Sequence, residues 1–129
     1  MCMDGKKILV VDDNSDLHYT ISRGFEELAT GYEVIYAESG TACLDMLRSN
    51  NIPDLILLDI MMPEMDGWDV MAELKKTNEW KNIPVIFLTA KTDDISKGMG
   101  SATSVDYITK PFEIIDLKTR VDKILKNKK

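Results

Sequence analysis

The sequence predicts an α/β fold, a (βα)5 chain doubly wound around a five-stranded parallel sheet. Three observations lead there. Two runs, KILVV (Lys7 to Val11) and DLILL (Asp54 to Leu58), are apolar without alternation, as a strand covered on both faces requires. Apolar stretches of strand length alternate with segments of helical period along the chain. Polar residues, aspartates above all, stand directly behind the strand candidates, where a parallel sheet gathers its ligand-binding edge.

KILVV is the first strand. Leu17, Ile21, Gly24, Phe25 and Leu28 follow at the spacing of an amphipathic helix. EVIYA (Glu33 to Ala37) is the second strand, and Gly40, Cys43, Leu44 and Leu47 mark the second helix. DLILL is the third strand, and beyond the turn-forming MDG the stripe Trp68, Met71, Ala72 and Leu74 marks another helix. PVIFL (Pro84 to Leu88) is the fourth strand, followed by a weaker helix over about Asp93 to Ala102. VDYI (Val105 to Ile108) is the fifth strand, and Leu117, Val121, Ile124 and Leu125 mark the C-terminal helix. Strict alternation with short connections implies right-handed crossovers, helices on both sheet faces, and every strand C-terminus on one edge.

A length of 129 residues suits one domain, taken here as 1–129, and 44% hydrophobic with 29% charged residues suits a globular one. No apolar run approaches the roughly 20 residues of a membrane span. MCMDGKK also lacks a signal peptide's apolar stretch, so a cytoplasmic location without membrane insertion is expected. A net charge of −6 disfavours direct nucleic-acid binding and favours collecting a cation. Cys2 and Cys43 match no metal or redox spacing and are assigned no chemistry.

Asp12 and Asp13 follow the first strand, Asp59 ends the third, Thr89 ends the fourth and Lys110 follows the fifth. Carboxylates crowded on one edge raise one another's pKa unless a cation intervenes. An all-oxygen site with few protein ligands suits Mg²⁺, which readily shares a phosphate oxygen. The chemistry this supports is phosphoryl transfer. Asp59 is the candidate nucleophile, and Lys110 and Thr89 offer a cation and a hydroxyl to phosphoryl oxygens. Each residue alone has a plainer reading: Asp12 and Asp13 as a helix cap or turn pair, Thr89 as a cap, Lys110 as a surface charge. Their joint placement at four strand ends favours the site.

These motifs carry a resemblance. VVDD with Asp12 and Asp13, LLDIMMPEMDG around Asp59, LTA with Thr89, and DYITKPF with Tyr107, Lys110 and Pro111 together resemble a response-regulator receiver domain over the whole chain. The resemblance implies a flavodoxin-like strand order 2-1-3-4-5. It implies that Asp59 accepts a phosphoryl group from a sensor histidine kinase or phosphotransfer protein. Mg²⁺ would be held by Asp13, Asp59 and the backbone carbonyl of Met61, with Asp12 acting through water. Lys110 and Thr89 would grip the product, and Thr89 would draw Tyr107 inward. That movement would alter the face made by the helix over Asp93 to Ala102, the fifth strand and the C-terminal helix, where an unknown target protein binds. The Lys110–Pro111 bond would be cis. Residues two past the acceptor and two past the threonine, Met61 and Lys91, would flank the path of attacking water. Met61 cannot orient a water by hydrogen bonding, and the long Lys91 side chain would obstruct the in-line path, so slow hydrolysis is expected.

On this reading the chain is a switch, not an enzyme acting on other molecules. A flavin carrier is disfavoured because the acidic crevice repels a flavin phosphate. An aspartyl-phosphate phosphatase is disfavoured because Met61 stands where that class keeps its general acid. A phosphorylation-independent interaction module would not need all five site residues. The chain ends soon after the C-terminal helix, so it is read as a free-standing receiver or a piece of a longer protein without room here for an output domain. His18 reads as a surface or boundary residue, Met61, Met62 and Met65 are the wrong ligands for a hard metal, and Met65 is assigned to the core. The basic residues Lys118, Arg120, Lys123 and Lys126 to Lys129 read as a solvated face. Departures from the family pattern cluster in one place: Gly98 and Gly100 loosen the helix over Asp93 to Ala102, and Thr103 and Ser104 replace a usual Gly-Ala.

Overall fold

The computed structural model describes residues 5–89 and 106–127, the side chains of Thr89 and Asn127 aside. Its elements are β1 (Lys7–Val11), α1 (Ser15–Glu27), β2 (Glu33–Ala37), α2 (Gly40–Arg48), β3 (Leu55–Asp59), α3 (Gly67–Lys76), β4 (Val85–Thr89), β5 (Asp106–Thr109) and a C-terminal helix, α4 (Ile114–Asn127). All four strand pairings are parallel, in the order β2-β1-β3-β4-β5. The helix expected over Asp93 to Ala102 lies outside the described residues, as do Lys91, Gly98, Gly100, Thr103 and Ser104.

Alternate residues of each strand serve opposite faces, so the sheet carries two cores. Leu9, Val11, Ile56, Leu58, Val85 and Phe87 pack with Cys43, Leu44 and Leu47 of α2 and Val70 and Leu74 of α3. Ile8, Val10, Leu55, Leu57, Ile86 and Leu88 pack on the other side with Ile21 and Phe25 of α1 and Leu117, Val121 and Leu125 of α4. Burial on both faces is why the central strands read as unbroken apolar runs.

Strand boundaries and one helix stripe differ from expectation, and β4 begins at Val85 rather than Pro84. β3 begins at Leu55, because Asp54 stands before the ladder and accepts a hydrogen bond from the Lys7 N–H at 2.8 Å. β3 and β4 each run one residue further, since Asp59 pairs with Leu88 and Thr89 with Thr109. β5 likewise extends to Thr109. Ala72 is exposed; the buried stripe of α3 is Gly67, Val70 and Leu74, with Trp68 and Met71 on its flank. The helix is rotated so that the larger Val70 fills the space against the sheet.

Candidate functional site

Two charged side chains at the C-terminal edge are almost wholly removed from water: Asp12 at 1% exposure and Asp59 at 4%. Asp12 follows β1 directly and Asp59 is the last residue of β3. The β1–β3 ladder ends with Val11 opposite Leu58, which delivers the two carboxylates side by side. Asp13, exposed, completes the group, and one carboxylate oxygen from each of the three lies within 4.8 Å of the others. Lys110 arrives from beyond β5, its Nζ donating to Asp12 Oδ2 at 3.0 Å and to Asp59 Oδ1 at 3.4 Å. The Lys110–Pro111 peptide bond is cis.

Neither Asp12 nor Asp13 caps α1. The cap is Asn14, whose Oδ1 accepts from the Asp16 N–H at 2.9 Å. Asp12 Oδ1 accepts from the Asn14 N–H at 2.8 Å, which ties that carboxylate into the turn. The plain reading of the pair as a cap therefore fails, and the part of it that survives serves to aim Asp12.

Burial pushes the Asp59 carboxyl up to about 6, and the neighbouring charge of Asp12 adds to the effect. Lys110 and the backbone N–H of Met61 pull the other way without cancelling it. For Lys110, burial acts to lower the pKa, but the pull of Asp12 and Asp59 outweighs it and holds the ammonium above its ordinary value. Three carboxylates around one lysine leave negative charge uncompensated, which is the condition a divalent cation relieves.

The segment after Asp59 is packed tightly. A β-carbon on Gly67 would lie 2.7 Å from the Asp59 carbonyl oxygen and 2.8 Å from Ile60 Cα. Gly67 was expected to serve a turn, yet its φ is not in the left-handed region; what it permits is the close approach of α3 to the backbone that carries Asp59. α3 opens on a reciprocal cap between Asp66 and Asp69. In the intervening loop Glu64 adopts a φ of 68°.

Of the other expected residues, Thr89 ends β4, with its side chain outside the description. Tyr107 lies 38% exposed on β5, and its carbonyl accepts from Arg120 at 3.1 Å. Met61 is exposed, Met62 is buried, and Met65 packs against Gly40 and the core, so the three do not converge. Cys43 is buried and its thiol is pushed up to about 12 by that burial. Lys118 pairs with Asp122 and Arg120 with Asp106, so part of the basic run is neutralised. His18 is half-buried and stacks on Tyr36, whose hydroxyl donates to the Asp12 carbonyl oxygen at 2.8 Å. Tyr36 was not singled out in the sequence; the available signal was a phenol one residue from the C-terminal end of a strand beside Asp12.

Residues 8–122 match the response regulator receiver domain. The chain belongs to that family. The receiver is 42% identical over 123 residues to a probable cyclic di-GMP phosphodiesterase of Vibrio cholerae, covering 95% of this chain and 27% of that protein. Among solved structures it resembles the receiver domain of Francisella response regulator 1452, at 36% identity and a TM-score of 0.82, with 97% and 100% of the two chains covered. It also resembles the signal receiver domain of a histidine kinase from Syntrophus aciditrophicus, at 32% identity and a TM-score of 0.85, covering 97% and 93%. The receiver spans half or less of the length of the curated relatives it matches. Among the described residues no helix is long and apolar enough to cross a membrane.

Proposed function

We propose that this receiver is a phosphoryl-accepting switch in which Asp59 is the acceptor, fed by a histidine kinase or phosphotransfer protein. The observation that supports this is a buried carboxylate at the end of β3, 3.4 Å from the Lys110 ammonium and grouped with Asp12 and Asp13. An Asp59 carboxylate oxygen attacks the donor's phosphorus, the phosphorus–nitrogen bond breaks, and its electron pair leaves on the donor imidazole, which takes up a proton. Lys110 compensates charge on the phosphoryl oxygens, and Thr89, at the end of the neighbouring strand, offers them a hydroxyl. The all-oxygen donor set fits Mg²⁺, which Asp13, Asp59 and the Met61 carbonyl would hold, with Asp12 contributing through water. When bound, the metal neutralises charge shared between the carboxylates and the phosphoryl oxygens.

Output runs through Thr89 and Tyr107 to the surface around β5 and α4, where a protein target is read. Residues 1–129 act as one receiver unit in the cytoplasm, without direct nucleic-acid contact, and the only reactions catalysed are phosphorylation and dephosphorylation of Asp59. Incubation with Mg²⁺ and acetyl phosphate, followed by intact mass, tests the assignment. One phosphoryl group is expected on the parent and none on Asp59→Asn; undiminished labelling of the variant would overturn it.

A further inference from the structure

Tyr36 is the fourth residue of β2, opposite Val10 in the register, and its ring packs on the α1 side of the sheet. From there its hydroxyl reaches past the end of the ladder to the Asp12 carbonyl oxygen, 2.8 Å away. The Asp12 N–H is held too, donating to the Ala37 carbonyl at 3.2 Å. Two consecutive residues of β2 thus grip the backbone of Asp12 on both sides. The carbonyl held by Tyr36 belongs to the peptide unit that joins Asp12 to Asp13, and a peptide unit is planar. Setting that plane sets the direction in which each carboxylate leaves the chain. No regular element does this locally, because β1 has ended and α1 starts only at Ser15. His18, in the first turns of α1, stacks on the Tyr36 ring with centroids 4.9 Å apart and planes at 25°, so the ring is steadied from the helix side.

We infer that Tyr36, backed by His18, is a positioning residue for the metal site, setting the Asp12–Asp13 peptide so that both carboxylates address one Mg²⁺. The inference rests on the reading of Asp12, Asp13 and Asp59 as that site. Tyr36 acts through the backbone of Asp12, as partners behind metal ligands commonly do. A phenylalanine at this position keeps the ring, the stacking and the packing, and removes only the donor that orients the peptide.

Calorimetric titration with Mg²⁺ of the parent, Tyr36→Phe, His18→Ala and Asp13→Ala tests it, alongside acetyl phosphate labelling across Mg²⁺ concentrations. Tyr36→Phe is expected to bind Mg²⁺ about five- to tenfold more weakly, the scale of one lost orienting hydrogen bond. Its labelling should need correspondingly more Mg²⁺, with the rate at saturating Mg²⁺ within about twofold of the parent. His18→Ala should shift the midpoint the same way by less. A merely structural role would lower the melting temperature and the fraction labelled while leaving the Mg²⁺ midpoint in place, and that result would overturn the inference. If Tyr36→Phe matches the parent while Asp13→Ala loses Mg²⁺, the inference falls and the site reading stands. If the parent shows no Mg²⁺ binding that depends on Asp13, both fall.

Discussion

The Lys110 ammonium lies 3.0 Å from the Asp12 carboxylate, a contact between residues that are far apart in the chain and meet at the mouth of the sheet. Its removal is expected to expose how much repulsion it holds in check. Lys110→Met should lower metal-free stability at pH 7 by about 1–3 kcal/mol, because buried carboxylates lose their cation. The loss should shrink at pH 5, where Asp59, freed of the lysine's lowering influence, more readily takes up a proton. Urea unfolding at the two pH values measures this. Equal losses at both would mean that only the packing of the lysine stem matters.

Asp59 carries a pH signature of its own. Its folded pKa of about 6 exceeds the ordinary 3.8, so the folded state binds the proton more tightly than the unfolded chain does. The resulting destabilisation is absent below about pH 4, grows as pH rises through 6, and is full above it. Its ceiling is on the order of 2–3 kcal/mol at about 1.4 kcal/mol per pKa unit. Metal-free Asp59→Asn should therefore be more stable than the parent at pH 7 and indistinguishable from it near pH 4. A variant less stable at pH 7 would show that the ionised carboxylate is structurally required.

Gly67→Ala should cost about 1–3 kcal/mol, the usual range for forcing atoms into a filled space. The new methyl meets backbone on the strand side, the Asp59 carbonyl and Ile60 Cα, which cannot swing aside as a side chain would. Phosphoryl acceptance should slow as well, because the displaced atoms include those of the residue proposed as acceptor. Thermal melts and labelling time courses check both effects, and a rate unchanged from the parent would separate α3 packing from the chemistry.

Persistence of the phosphoryl group is the remaining expectation. Met61 is 63% exposed beside Asp59, and it offers water no strong hydrogen-bonding group. The double variant Met61→Asn with Lys91→Glu should lose the phosphoryl group faster after the donor is removed, with acceptance much less changed. Decay no faster than the parent's would mean that water is admitted by other residues.

Strands and the polar residues gathered on their edge were legible in the sequence because each is written locally. A strand buried on two faces must be apolar throughout, and a polar group on the sheet edge must stand at or just past a strand's end, so Asp12, Asp59 and Lys110 announce themselves by position. Boundaries were less legible. The apolar run stops at Leu58, yet the ladder is indifferent to side-chain polarity and takes in Asp59, which pairs with Leu88 as the last residue of β3. Ala72 was placed on the buried stripe of α3 by its apolar character, whereas the rotation of the helix is set by Val70 and Gly67 against the sheet. Tyr36 and the true role of Gly67 were illegible for a different reason. Both act on the backbone of another element, and spacing along a chain does not encode such a contact.

β3 occupies the middle of the five strands, with β1 on one side and β4 on the other, and all five of its residues are buried. Asp59 is therefore carried by a strand that is buried throughout and paired on both sides. A mark placed there cannot travel; it serves as an address and not as a lever. The loop beyond β3 and the α3 terminus, which Gly67 lets approach it closely, surround that fixed point. On the proposed reading, a partner of this receiver responds to what gathers at that fixed point.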